Sequence, residues 1–547
     1  MVSLSSGSSS VNTTDILKIA IPIGIGLASV AYFAVKYSAD SSNPARHGVT
    51  SVPTASLREG ELTHDVEYNE NQDAFIQRCE EAYGPMFNVF LIGKTLTVAS
   101  GPLIREVFMN NDFSSGDDIE EVTSMMALFD SMRKSNIGDE HKTIHALVRD
   151  YITPNLAMFT PAIVKQLESS LDHVFGTTST GAEGNLVPFP MGPMQTMVSS
   201  AMVSVFMGLE AAQSQKIIDI FNSTTMDMGM MFGPPKPPAS FWQSILNKTN
   251  SKPLSPLQIH VRNLTEVAGP IILERRRLEE EAAEKGIPYD RPMDILQRLL
   301  DNFDKHGLVD VEDICGYLLI LSSTGVHTTN DTATTLLFYL AAFPEHLDTL
   351  YKEQRDVLDA IQQERTQRRE ALEKKGEPIG EDLDPAHDRD LTAEAIKRMV
   401  HLDSFIREMF RYRTERLTLS HRARKTITLS NGVVIPKGQS VIINMKSAHH
   451  GPDQGDDVTE FRPWRFVGKA KSATKAGADF LPFGMGKHAC PGRFLAIHEV
   501  KAIIVLMVSK YSKFEIQDPS QTMRILRSRI GEPAPTGLIF HNRVNDL

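Results

Sequence analysis

The chain has 547 residues, 41% of them hydrophobic, and a formal charge of −11. Such a length can bury a large core, in one big domain or several small ones. The acidic balance excludes the surplus of Lys and Arg that phosphate backbones require, so no nucleic-acid partner is expected. Three scattered cysteines, Cys79, Cys315 and Cys490, do not make a disulfide framework and place the bulk of the chain in a reducing compartment. No G-x-G-x-x-G or P-loop pattern follows an apparent strand, which argues against a built-in nucleotide site.

Taken in chain order, residues 1–14 are polar and rich in Ser and Thr. The apolar run at 19–35, broken by Pro22 and small residues, is near the minimum of about 17 residues for a membrane-spanning helix. A cleavable signal peptide is the alternative, but no basic segment precedes the run beyond Lys18 and no small-x-small cleavage site follows it. Lys36, Arg46 and Arg58 follow the run, and the positive-inside rule then puts the main domain in the cytosol, with Asn12-Thr13-Thr14 as a lumenal sequon. The expected organisation is a transmembrane signal anchor at 1–38, a linker at 39–56 and one domain at 57–547.

Residues 86–99 read as a hairpin turning at Gly93-Lys94. Helical stretches follow at 271–285 and 311–342, with the Pro/Gly cluster at 233–238 as a loop before them. The segment 352–394 carries charges of both signs, the signature of solvated helix or loop. The coarse expectation is a mainly α fold with minor β.

The sharpest signal lies at 480–496, FLPFGMGKHACPGRFLA. A lone cysteine is usually a small core hydrophobe. Cys490 instead follows Gly484 and Gly486, which permit tight turns, and precedes Pro491-Gly492 and an apolar helical run. A thiolate just before a helix N-terminus is stabilised by the dipole and by free backbone N–H groups, which also temper its basicity toward a metal. With one thiolate and no neighbouring ligands, the metal must arrive inside a cofactor, and haem meets that demand.

The segment resembles the cysteine loop of the cytochrome P-450 superfamily, Phe-Gly-x-Gly-x-(Arg/His)-x-Cys-x-Gly, with Phe483, Gly484, Gly486, His488, Cys490 and Gly492 in its set positions. The resemblance implies a haem-thiolate monooxygenase with Cys490 as the iron ligand and His488 toward a haem propionate. Glu408 and Arg411 resemble the Glu-x-x-Arg of helix K, and Arg465 the arginine of Pro-x-Arg-Phe. Alone, an i, i+3 pair is usually a surface ion pair worth about 0–1 kcal/mol; the resemblance makes the three a buried structural triad.

Residues 322–329, SSTGVHTT, are an unremarkable kinked helix by composition, since Gly costs about 1 kcal/mol there and Thr back-bonds to carbonyls. They also resemble the oxygen-binding motif (Ala/Gly)-Gly-x-(Asp/Glu)-Thr-Thr. That implies Gly325 opening a notch, Thr328 donating to bound oxygen and His327 in place of the acid, relaying protons itself or leaving that to ordered water. Thr324 departs from the motif's small residue. His145 and Arg149 resemble the Trp-x-x-x-Arg of helix C, with His in place of Trp, and with Arg422 are expected to address propionates. The resemblance spans about residues 60–540 and points to fungal microsomal terpenoid- and steroid-oxidising members.

By the same analogy the substrate pocket is lined by 117–132, Leu321, Thr324, 418–420 and 535–537, mainly small or apolar. The Met-rich stretch 226–232 is either an adaptable access lip dipping into lipid or a helix face in the core. Implied partners are NADPH–cytochrome P-450 reductase, cytochrome b5, O2, membrane lipid of the endoplasmic reticulum and a lipophilic substrate. A haem-thiolate isomerase or dehydratase needing no electrons stands as the alternative, as does a non-catalytic haem sensor.

Overall fold

The computed structural model describes residues 51–543 apart from 118–139, 176–183, 232–255, 381–382, 414–415, 452–453, 456 and 530. The expected anchor at 1–38, the loop at 233–238 and most of the lining segment 117–132 lie outside the described residues. Among the described residues no helix is long and apolar enough to cross a membrane.

The larger of two units comprises Pro53–Ile427 and Pro436–Leu547. Its principal helices are α1 (Gln72–Tyr83), α2 (Glu140–Ala146), α3 (Leu156–Phe175), α4 (Met191–Met207), α5 (Gln215–Met231), α6 (Pro256–Lys285), α7 (Val311–Ala342), α8 (Leu347–Lys375), α9 (Ala393–Arg398), α10 (Val400–Arg413) and α11 (Arg493–Lys510). A five-stranded sheet runs β1 (Met86–Leu91), β2 (Lys94–Ala99), β8 (Ser440–Asn444), β5 (Leu417–Ala423), β3 (Phe113–Ser114). Of these strands β2 and β8 pair in parallel and the other neighbours antiparallel. A smaller antiparallel sheet holds β4 (Asn185–Val187), β10 (Leu538–Asn542) and β9 (Tyr511–Ile516). In the other unit the described residues are 51–52 and Thr428–Ile435, the latter running from the end of β6 (Ile427–Thr428) to β7 (Val434–Ile435), with Leu429 N–H donating to the Val433 carbonyl, 2.9 Å. The mainly α architecture with minor β agrees with the sequence.

Helix α7 follows the expected bounds 311–342. Asp310 caps it by accepting from Asp313 N–H, 3.1 Å, with Glu312 and Asp313 complementing the dipole in its first turn. It packs on α4, α5, α6, α11 and β9, so it threads the largest apolar cluster. Helix α8 absorbs much of the charged segment and ends on Gly376 at φ +68°, after Lys374 and Lys375.

Three boundaries differ from expectation. The hairpin turns at Ile92-Gly93, with Lys94 already paired to Leu91. Helix α6 begins at Pro256 rather than 271 and carries Pro270 inside it, because packing against α5 and α7 overrides a local breaker. Within the expected linker, Asn88 N–H donates to the Pro53 carbonyl, 2.7 Å, and Ala55 N–H to the Asn88 carbonyl, 2.9 Å, so the chain joins the sheet before residue 57.

Candidate active site

The cysteine loop folds as its glycines require. Gly484 and Gly486 take φ +64° and +62°, conformations an L side chain disfavours. Cys490 N–H donates to the Phe483 carbonyl, 2.8 Å, closing the loop, and the Phe483 ring meets Phe410 edge-on at 5.5 Å. Cys490 is the exposed one of the three cysteines; Cys79 and Cys315 are buried, and burial pushes their thiols up to about 11 and 12. The Cys490 thiol is also raised by desolvation, because the protein crowds its flanks, but the backbone N–H groups of Gly492 and Arg493 and the Arg493 charge oppose the rise. Those groups favour the thiolate. His488 lies in the short turn Gly486–His488; its side chain is outside the described residues.

The structure brings Glu408, Arg411 and Arg465 together. Arg411 Nε and Nη2 donate to the two Glu408 oxygens at 2.7 and 2.8 Å, and Arg465 Nε donates at 3.0 Å; the Glu408 and Arg411 side chains are fully buried. Arg411 also holds the Val458 and Glu460 carbonyls, and Arg465 the Gln454 carbonyl and Asp457. Helix α10 is thereby stapled to the segment 454–466.

Two groups that sequence reasoning missed hold the segment entering the cysteine loop. Arg407, fully buried, donates to the Ser472 and Lys475 carbonyls and lies 3.7 Å over the Phe480 ring; burial lowers its pKa to about 10. His449 stacks on Phe480 and accepts Leu481 N–H at Nε2, 2.9 Å; burial, then His450 and Arg407, push it down to about 3. The only local signal was an arginine on the buried side of a helix.

In α7, exposure is confined to Thr324 and Thr328. They sit one turn apart on one face. Thr324 Oγ1 donates to the Ile320 or Leu321 carbonyl and Thr328 Oγ1 to that of Thr324, at 3.0–3.1 Å. A helix buried along both halves but open at its centre borders a space.

Two expected members of this site have neighbours in other segments. Gly325 packs toward α4: a Cβ there would lie 3.3 Å from the Met202 methyl, so glycine permits close helix packing at this point. His327 is about 100° around the helix from Thr328. Its ring lies against Gly531, where a Cβ would come within 2.8 Å of Nε2. Asp331, one turn on, binds Arg413 at 2.5 Å and accepts Gly531 N–H at 2.8 Å, so this face serves the C-terminal segment.

The expected propionate partners are scattered. His145 is half-buried in α2; Arg149 lies in the following turn, exposed, and forks onto Asp150 at 2.6 and 2.8 Å. Arg422 is half-buried in β5 between Ser114 and Ser440. Upstream of it, β5 loses register between Thr418 and His421, and Leu419 takes φ +52°. A bulky residue there is a strained outlier of the kind that collects at functional sites. His421 braces the bulge through Nδ1 to the Leu419 carbonyl, 2.7 Å, and it too was not foreseen. At 535–537, Thr536 accepts Asp518 N–H and Gly537 abuts the Val187 carbonyl, which ties the segment to the small sheet.

A family model described as Cytochrome P450 matches residues 61–537. The chain belongs to the cytochrome P450 family. It is 26% identical to cytochrome P450 monooxygenase 151 of Postia placenta over 90% of this chain and 93% of that one. It is 25% identical to cytochrome P450 monooxygenase paxP of Penicillium paxilli over 69% and 68%. A solved structure, retinoic acid-bound cyanobacterial CYP120A1, superposes with a TM-score of 0.59 at 16% identity, covering 90% of this chain and 99% of that one. The protein is therefore a P450 monooxygenase of fungal type, and P450s are haem-thiolate enzymes that use O2, redox partners and lipophilic substrates.

The residues fit the cofactor. One exposed cysteine whose sulfur is flanked by two N–H donors would suit an iron-binding thiolate, and the open centre of α7 leaves room beside an otherwise buried helix. When bound, haem supplies the redox chemistry of dioxygen activation. This chain's own part is to present the sulfur, to aim the Gly492 and Arg493 N–H groups at it and to line the space with threonine.

Proposed function

We propose that this P450 hydroxylates a steroid or terpenoid. Cys490 would hold the haem through its sulfur, and Thr328 Oγ1, which donates to the Thr324 carbonyl, would hold a proton-bearing water beside it through its free lone pairs. Glu408, Arg411 and Arg465 are its structural lock; Phe483 and His488 would border the haem, and His145, Arg422 and, on exchanging Asp150 for a propionate, Arg149 would address its carboxylates. Electrons come from NADPH through a cytochrome P-450 reductase, with cytochrome b5 as a further donor, at the endoplasmic reticulum membrane.

A single feature of α7 carries this proposal. Its opening at Thr324 and Thr328 spends both hydroxyl protons on the helix's own carbonyls, so the wall offers methyl groups and few unspent donors. Such a wall favours a carbon skeleton over a polar guest. The test is co-expression with a reductase and a mass-spectrometric screen of steroids and diterpenes for a gain of one oxygen atom. Oxidation confined to polar substrates would overturn the substrate class. The anchor is tested separately: removing residues 1–38 should release much of the enzyme from membranes with its haem spectrum intact, whereas loss of haem would make the segment part of the fold.

A further inference from the structure

A cavity of about 660 Å³ lies between the start of α3, the α9–α10 junction, the segment 466–474 and the first half of α11. It shares no residue with the cysteine loop's set positions or with the open centre of α7. Its volume is in the range of small-molecule sites, about 300–1,000 Å³.

The inner wall is apolar, formed by Leu156, Ile396, Phe466, Val467, Phe494 and Ile497. Its polar groups are already engaged. Asp403 takes Lys501 at 2.7 Å and Ala473 N–H at 2.8 Å. Ser404 Oγ bridges the Pro463 carbonyl and Phe466 N–H, and His498 Nε2 meets Thr160 Oγ1 at 2.9 Å. Lys471 pairs with Asp479 at 2.7 Å. The interior therefore asks nothing polar of an occupant, and a polar guest would be desolvated there without compensation.

The mouth differs. Lys397 and Lys469 both line the cavity and are exposed, and among the described residues neither has an ion-pair partner; Lys469 sits 5.9 Å from the Phe466 ring. Val400 is 50% exposed at the same rim. The lining carries four lysines against one aspartate, on a chain whose formal charge is −11. An apolar bore under two uncommitted ammonium groups is complementary to one chemistry.

We infer that this cavity binds a free monocarboxylate amphiphile of the fatty-acid class, with its chain along Ile396, Phe466 and Ile497 and its carboxylate between Lys397 and Lys469. The site is separate from the substrate space and bears on segment 466–474, which leads into the cysteine loop.

The experiment uses the full-length holoenzyme, dodecanoate carrying a terminal diazirine, and peptide mapping after irradiation. Saturable labelling is expected within 393–404, 466–474 and 494–501, displaced by dodecanoate far better than by dodecanol. Lys397→Glu with Lys469→Glu should weaken displacement about tenfold, in line with two partly exposed ion pairs. Both lysines are exposed, and Lys397→Ala and Lys469→Ala singly give a milder second reading should the double variant fold poorly. Labelling that ignores charge reversal, that dodecanol displaces equally, or that falls only on the peptide carrying Thr324 and Thr328 would overturn the inference.

Discussion

The corner around Glu408 and the centre of α7 are built on opposite plans. At the corner, two arginines share one buried carboxylate and spend most of their remaining donors on backbone carbonyls, so the chain completes its own interactions there. At the centre of α7, two threonines face open space and bond only to their own helix. The first arrangement fixes a shape, since a buried charge costs several kcal/mol unless every partner stays in place. The second leaves the shape unfinished, which a site awaiting a cofactor and a substrate requires. Cys490 belongs with the second group, because its sulfur is accessible while its backbone is tied to Phe483.

The largest effect should come from the unfinished side. A thiolate donates electron density to haem iron, so the reduced carbon monoxide complex should show the strongly red-shifted band of this superfamily. Cys490→Ala should abolish both band and turnover while urea unfolding changes little. Retention of the band would remove Cys490 from the role given to it.

The complementary variant attacks the finished corner. Glu408→Gln leaves Arg411 and Arg465 buried without their shared counter-charge, at a cost of about 3–5 kcal/mol. The urea midpoint should fall accordingly, and haem content with it. A stability loss below about 1 kcal/mol would mean that the corner is a surface-type pair in energetic terms.

Thr328→Ala probes the centre of α7 more gently. Losing one hydroxyl costs a hydrogen bond of about 1 kcal/mol and gains alanine's helix propensity, so stability should hardly move. Coupling should suffer: more NADPH oxidised and more hydrogen peroxide per product, toward the low end of the about 10²–10⁴-fold range of a positioned proton donor. His327→Ala should leave coupling unchanged, because the ring lies against Gly531 rather than on the Thr328 face. Equal losses in the two variants would restore His327 to the relay.

The same contrast explains how much could be read from the residues alone. The cysteine loop is legible because positive-φ glycines and a helix start leave little choice around Cys490. Glu408, Arg411 and Arg465 were recognisable only as a set, since Arg465 lies 57 positions from Glu408 and no local pattern joins them. The surroundings of Gly325 and His327 were not legible for one reason. A motif gives the order of residues along α7, but which side faces the cavity depends on Met202 and Gly531, from distant segments. Arg407, His449 and His421 were invisible for a similar reason, as their partners are backbone groups that no composition reveals.

The smallest predicted effect concerns pH and returns to the finished side. His449 is held near 3 by burial and by the charges of His450, Arg407 and Arg411; burial with Arg411 and Lys446 holds His450 near 4, and burial with Lys501 holds His498 near 4. An unfolded chain has histidines near the ordinary value of about 6.5. Between pH 6.5 and 4 the unfolded state therefore binds protons that the folded state refuses, and stability rises with pH. The contribution is fully present above about pH 6.5 and is lost as acidity increases toward the folded values, by at most about 1.4 kcal/mol per pH unit for each histidine. His449→Gln keeps an acceptor for Leu481 N–H but removes one titrating group. It should lower stability somewhat at pH 7.5 and flatten the slope of unfolding free energy between pH 6.5 and 4.5 by about one proton. An unchanged slope would show that His449 takes up its proton in the folded protein, its Nε2 giving up the Leu481 N–H, and that the segment entering the cysteine loop is less tightly finished than the triad beside it.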